Sequence, residues 1–171
     1  MRFKPDIYVD SIFAIDFQNL KARGIKGLLL DVDNTLKAHY AEAPSAQVRG
    51  WLDEARAAGF ALCIVSNGRQ SRIGPFAHGI GLAAVGDAMK PSRAGFLRAA
   101  ESLHLDVCHT AVVGDQLFTD ILGGHNARAL TILVKPISKD EPFYVKLKRP
   151  LERLFLKKRV ASSTMDESAR G

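Results

Sequence analysis

Gly27-Leu28-Leu29-Leu30-Asp31-Val32-Asp33-Asn34-Thr35 decides how this chain is read. The apolar run is short and bounded by turn-prone residues, which suits a strand buried on both faces. Two carboxylates emerge at its end. Residues i and i+2 of a strand point the same way, so Asp31 and Asp33 face one side. Open α/β sheets bind ligands outside the carboxyl ends of their strands. Two carboxylates that close repel, and a pKa rises unless a cation lies between them. The pair therefore suggests Mg²⁺ on hard oxygen ligands, with a phosphate as its partner. Taken alone, Asp-x-Asp followed by Thr is as often a turn or a helix N-cap.

Outward from this stretch, strands alternate with helices. Residues 28–31 read as the first strand, and 44–58 as a helix with Val48, Trp51, Leu52 and Ala55 on one stripe and Gly59 as its stop. Residues 60–66 form a second buried strand, 68–78 a short helix or loop, and 83–85 a short third strand. Pro91 opens a second clear helix, with Phe96, Leu97, Ala100 and Leu103 inward. Residues 110–114 are a fourth strand, 120–127 a helical turn and 130–134 a fifth strand. The pattern is α/β: a doubly wound, mainly parallel five-stranded sheet.

At 171 residues, with 47% hydrophobic and 25% charged residues, the chain has the size and balance of one soluble domain. No apolar run approaches the roughly 18 residues of a membrane span. Met1-Arg2-Phe3-Lys4-Pro5-Asp6 has no signal-peptide pattern. Cys63 and Cys108 lack metal-type spacing, and Cys63 sits in an apolar strand as a small hydrophobe. The expected compartment is reducing, the cytoplasm. The five histidines, His39, His78, His104, His109 and His125, show no ligand spacing; His39 lies where it could face a substrate.

A parallel sheet gathers its strand ends on one edge. Asp31-x-Asp33, Ser66-Asn67-Gly68, Lys90-Pro91 and Gly114-Asp115 with Asp120 therefore converge. A nucleophile, a hydroxyl, an amine and metal-binding carboxylates make a constellation for phosphoryl transfer. Singly, Ser66 or Lys90 would be surface or turn residues and Asp120 a helix cap.

Together and in this order, Asp31-Val32-Asp33-Asn34-Thr35-Leu36, Val65-Ser66-Asn67, Lys90-Pro91 and Gly114-Asp115-Gln116-Leu117-Phe118-Thr119-Asp120 resemble the four motifs of haloacid dehalogenase (HAD) superfamily phosphatases. The resemblance runs from about Ile25 to Val134. The Asp-Asn-Thr-Leu and Ser-Asn-Gly forms, and Gly123-Gly124 before Thr131-Ile132-Leu133-Val134, are similar to the YqeG-like branch of subfamily IIIA and to phosphatidylglycerophosphate phosphatases. His125-Asn126 stands where that family has Asn-Arg.

The resemblance implies a Mg²⁺-dependent phosphomonoesterase with a HAD-like three-layer fold. Asp31 would be the nucleophile and Asp33 the general acid and base. Ser66, the Asn67 backbone N–H and Lys90 would hold the phosphoryl group, with Lys90 also offsetting its charge. Asp31, Asp33 through its carbonyl oxygen, Asp115 and Asp120 would bind the metal. Thr35 would order the loop.

The gaps after Leu36 and between Gly68 and Lys90 are too short to hold the cap domain that many such enzymes carry. Residues 1–160 are expected to form one capless domain, and 161–171 a polar disordered tail. An open site suits a large or surface-bound substrate, although closure by an oligomer would readmit a small metabolite. Residues 141–160 carry seven Lys/Arg against two Glu, +5 of the chain's total of +6. From Pro150, Leu151, Leu154 and Phe155 form an apolar stripe with Arg149, Arg153, Lys157 and Arg159 on other faces. Such a basic helix either lies on an anionic bilayer or packs on the domain. The expected substrate is phosphatidylglycerophosphate, reached from the cytoplasmic face of a membrane. The alternatives are a soluble sugar phosphate, a nucleotide or a nucleic-acid 3′-phosphate, or a non-catalytic RNA- or ribosome-binding role. Nucleic acid is the weaker partner, because the basic stretch has little aromatic interleaving and no recognition fold.

Overall fold

The computed structural model describes residues 3–38 and 40–138. His39, the basic segment and the polar tail lie outside the described residues. Six strands, β1 (Ile7–Val9), β2 (Gly27–Leu30), β3 (Ala61–Val65), β4 (Ala83–Val85), β5 (Thr110–Gly114) and β6 (Leu130–Val134), form one sheet in the order β1-β6-β5-β2-β3-β4. Every neighbouring pair is parallel. Five helices connect them: α1 (Phe17–Ala22), α2 (Ala46–Ala57), α3 (Gln70–His78), α4 (Ala94–Ser102) and α5 (Leu122–Ala127).

A parallel sheet needs both faces covered, so its central strands read as unbroken apolar runs. β2 and β5 are buried at every position. Alternate residues serve opposite layers. Leu28 and Leu30 pack with Trp51, Leu52 and Ile73 on one face, while Leu29, Cys63 and Val112 meet Phe96 and Ala99 on the other.

α2 forms as its sequence pattern requires. Ser45 Oγ accepts from the Val48 N–H at 3.3 Å, the stripe Val48, Trp51, Leu52 and Ala55 is buried, and Gly59 follows the helix at φ +91°. Burying Trp51 or Leu52 contributes about 1.5–3 kcal/mol each.

Three expectations are corrected. The sheet has six strands, not five, because β1, Ile7-Tyr8-Val9, is an edge strand of three residues, too short to stand out as an apolar run. It is held by partners far along the chain: Asp6 accepts from the backbone N–H and the hydroxyl of Thr131, both at 2.8 Å. α4 begins at Ala94 rather than at Pro91, since Met89, at φ +53°, starts a turn closed by Ser92 N–H to Met89 O at 2.9 Å. Leu97 is 39% exposed; the buried stripe runs through Phe96, Ala99 and Ala100, and Leu97 lies about 100° round the helix from Phe96.

Among the described residues the carboxyl edge is left open. Among the described residues, no domain intrudes between Lys37 and the Ser45 cap of α2, and only α3 and β4 lie between β3 and Lys90.

Candidate active site

β2 and β5 run side by side through the centre of the sheet, so their ends deliver Asp31 and Asp115 together. The Asp31 N–H donates to Val113 O at 2.9 Å, which continues the ladder up to the carboxylate. The chain then wraps around the Val32 carbonyl, which accepts from the N–H groups of Thr35, Leu36 and Lys37. Buried Val32 and Leu36 anchor this loop, and Asn34 takes a left-handed φ of 67°, a region Asn tolerates better than most residues. Thr35 joins the loop through its backbone N–H.

Lys90 reaches the centre from the β4–α4 connection. Its ammonium donates to Asp31 Oδ1 at 2.6 Å, Asp120 Oδ1 at 2.6 Å and Val65 O at 3.0 Å, which saturates its three donors. Asp120 comes from a π-helical turn, Leu117–Ile121, a geometry often found at functional sites. Its Oδ2 accepts from the Gln116 N–H at 3.1 Å. Gly114 makes the approach feasible, because a Cβ at that position would collide with the Asp120 carboxyl carbon.

Burial pushes the Asp31 carboxyl up; Lys90 pulls it down and the charge of Asp120 pushes it up again, leaving it near about 6. Burial works against the Lys90 ammonium, but the charges of Asp120 and Asp31 outweigh it and hold the pKa above the usual lysine range.

One oxygen from each of Asp31, Asp115 and Asp120 lies within 4.8 Å of the others, and all three residues are buried. Asp31 Oδ2 is buried with no hydrogen-bond partner among the described residues. An all-oxygen set with such an atom has the chemistry to hold a hard divalent cation. Asp33 stands apart from this triad with its side chain partly open.

Two cations that sequence reasoning missed grip Asp33. Lys37, itself buried, donates to Oδ1 at 2.9 Å. Arg72 donates to Oδ2 at 2.8 Å and to Oδ1 at 3.4 Å. Burial alone would raise the Asp33 carboxyl, but these bonds and charges overrule it and hold the pKa below the usual carboxylate range. A lysine four residues past Asp33 was a usable signal for Lys37. Nothing in the spacing pointed to Arg72.

Ser66 sits at the end of β3, buried, with its Oγ accepting from the Gly68 N–H at 3.1 Å. Asn67, expected to serve through its N–H, has a further use for its side chain. Its Oδ1 accepts from Lys90 N at 2.7 Å and its Nδ2 donates to Lys90 O at 3.1 Å. Asn126, in α5, donates to Pro91 O at 3.1 Å and so braces the Lys90-Pro91 turn. Asp31, Asp33, Ser66, Asn67, Lys90, Asp115 and Asp120 all lie at the one carboxyl edge.

Comparison with known proteins agrees with this geometry. Residues 1–74 match the mitochondrial PGP phosphatase family and residues 87–139 the HAD-hydrolase-like family. The chain is 35% identical to "Probable phosphatase YqeG" of Bacillus subtilis over 90% of each protein. It is 29% identical to phosphatidylglycerophosphate phosphatase 1, chloroplastic/mitochondrial, of Arabidopsis thaliana, over 90% of this chain and 47% of that one, so it spans about half of that relative. An uncharacterized protein from Listeria monocytogenes serotype 4b shares the fold with a TM-score of 0.56 at 16% identity, over 70% of this chain and 85% of the other. By sequence and by fold the chain belongs to the HAD superfamily of phosphatases, in the branch of the YqeG-like proteins.

Proposed function

We propose that this phosphatase is Mg²⁺-dependent, works through a phosphate bound covalently to Asp31, and hydrolyses phosphatidylglycerophosphate to phosphatidylglycerol. The observation that carries the chemistry is the Lys90 ammonium bridging Asp31 and Asp120 at 2.6 Å each, beside an Asp31 oxygen that lacks a partner among the described residues.

An Asp31 oxygen attacks phosphorus as the bond to the leaving alcohol oxygen breaks. Asp33, whose carboxyl must leave Lys37 and Arg72 and take up a proton before it can act as the acid, gives that oxygen the proton. Asp33 then takes a proton from water, whose oxygen attacks phosphorus and frees Asp31 and inorganic phosphate. Ser66 and the Asn67 N–H hold the phosphoryl oxygens, and Lys90 offsets their charge from its place beside Asp31. Mg²⁺, held by Asp31, Asp115, Asp120 and the Asp33 carbonyl oxygen, would neutralise charge on the transferring group.

The lipid substrate is supported by the relatives' names, by the matched PGP phosphatase family and by the open edge. Residues 1–160 would act as one capless domain at the cytoplasmic face of a membrane, the basic segment beside it. No helix of the described residues is long and apolar enough to cross a membrane. The test is phosphate release from phosphatidylglycerophosphate in mixed micelles with Mg²⁺, beside soluble phosphomonoesters. Preference for the lipid, lost in Asp31→Asn, supports the reading. Turnover of soluble esters alone keeps the chemistry and removes the lipid.

A further inference from the structure

We propose that the carboxyl edge of the sheet is a docking surface for an anionic phospholipid bilayer, with Tyr40, Met89 and Ile137 entering the headgroup layer around the mouth of the site. The proposal deepens the lipid-phosphate reading and rests on it. The phosphate of a membrane lipid stays within a headgroup's reach of the bilayer. The edge that carries Asp31 and Lys90 must therefore be the edge that meets the lipid.

Tyr40 is 72% exposed, Met89 66% and Ile137 51%, the three most exposed large apolar side chains among the described residues. They come from three separate connections, and all three border the site. Tyr40 follows the loop that carries Asp33 and Lys37. Met89 immediately precedes Lys90. The Ile137 N–H donates to Asn34 O at 3.0 Å, which ties the chain after β6 to the loop after Asp31. Exposed apolar residues scattered singly need no explanation, but a set gathered at one functional edge does.

Met89 sharpens the point. Its φ of +53° is a region that strains a side chain, and its exposure means the core gains nothing from it. Strain of this kind persists where a function uses it.

Charge on the same edge favours a lipid over an apolar partner. Arg69, at the start of α3, is exposed there; Arg72 is exposed too, with its charge met by Asp33. Asp87 is engaged by the Gln70 N–H at 2.8 Å, while Glu42 is exposed beyond Tyr40. The described chain ends at Ser138, four residues after β6, and the sequence that follows carries +5 over residues 141–160. Apolar insertion combined with basic attraction is how proteins bind an anionic interface, and Tyr is enriched at that depth.

The experiment is flotation with vesicles of phosphatidylglycerol and phosphatidylcholine that contain no phosphomonoester. Wild type is compared with the triple variant Tyr40→Ser, Met89→Gln, Ile137→Ser, with the thermal midpoint as the check on folding. Wild type should partition to the vesicles, and the folded triple variant about tenfold less. Equal partition of the two proteins, or no partition of wild type, overturns the proposal. So does a wild-type dimer, seen by light scattering, that the triple variant loses, because the edge would then join two copies of the chain. No docking of wild type with lipid turnover kept in micelles refutes only the surface. Docking kept with no lipid turnover upholds the surface and refutes the substrate reading.

Discussion

Lys90 and Arg72 each clamp an aspartate of the same loop, in opposite surroundings. Lys90 is buried, has three acceptors for its three protons, and holds Asp31 to Asp120. Arg72 has a side chain 50% exposed and reaches Asp33 from the rim, opposite the buried Lys37. A buried ion pair cannot lose one member cheaply, whereas an exposed one contributes little to stability. The inner clamp therefore fixes where Asp31, the proposed nucleophile, stands. The outer clamp sets the charge and aim of the second aspartate, with little bearing on the fold.

The largest effect should come from breaking the inner clamp. Lys90→Met leaves Asp31 and Asp120 buried without their cation, and denaturant unfolding of the metal-free protein should show a loss of about 3–5 kcal/mol. Adding Asp31→Asn to that variant should restore part of the loss, because one buried charge goes with it. Next comes the support of the inner clamp. Asn67→Ala removes two hydrogen bonds to the Lys90 backbone, and stability should fall by about 1–2 kcal/mol, with turnover falling alongside.

The outer clamp should respond differently. Arg72→Gln should change stability at neutral pH by under about 1 kcal/mol, since the pair is half exposed, yet change turnover and its pH profile. The sign with pH follows from the direction of the Asp33 shift. A carboxyl held below its unfolded value contributes stability that is present above the unfolded pKa of about 3.9 and is lost as pH falls through the folded value. The stability difference between wild type and Arg72→Gln should therefore shrink as pH drops below about 4. A difference that grew on acidification would contradict the assignment.

How much of this was legible in the sequence follows the same division. β2, β3, β5 and β6 are apolar runs whose burial suits them to the middle of a parallel sheet, and the strand ends then place the acidic and basic residues at one edge. β1 and α1 were not legible. β1 depends on Asp6 meeting Thr131, a pairing 125 residues long, and α1 is a six-residue helix whose main local mark is the Asp16 cap. In the site, Lys90 is readable because it stands at a strand connection beside Pro91. The grip of Arg72 on Asp33 spans 39 residues and depends on how α3 packs beside the Asp31 loop. The second use of Asn67, as a brace for the Lys90 backbone, is a side-chain choice that no spacing announces.

The central claim is that Asp31 carries the phosphoryl group and Asp33 is needed to release it. Asp33→Asn should be mixed with p-nitrophenyl phosphate and Mg²⁺, because its good leaving group does not need the acid. The account predicts a single burst of nitrophenol followed by a stall, with the phosphate found by mass spectrometry on the peptide containing Asp31 and absent from Asp31→Asn. Steady turnover of Asp33→Asn with no phosphate on that peptide would contradict it.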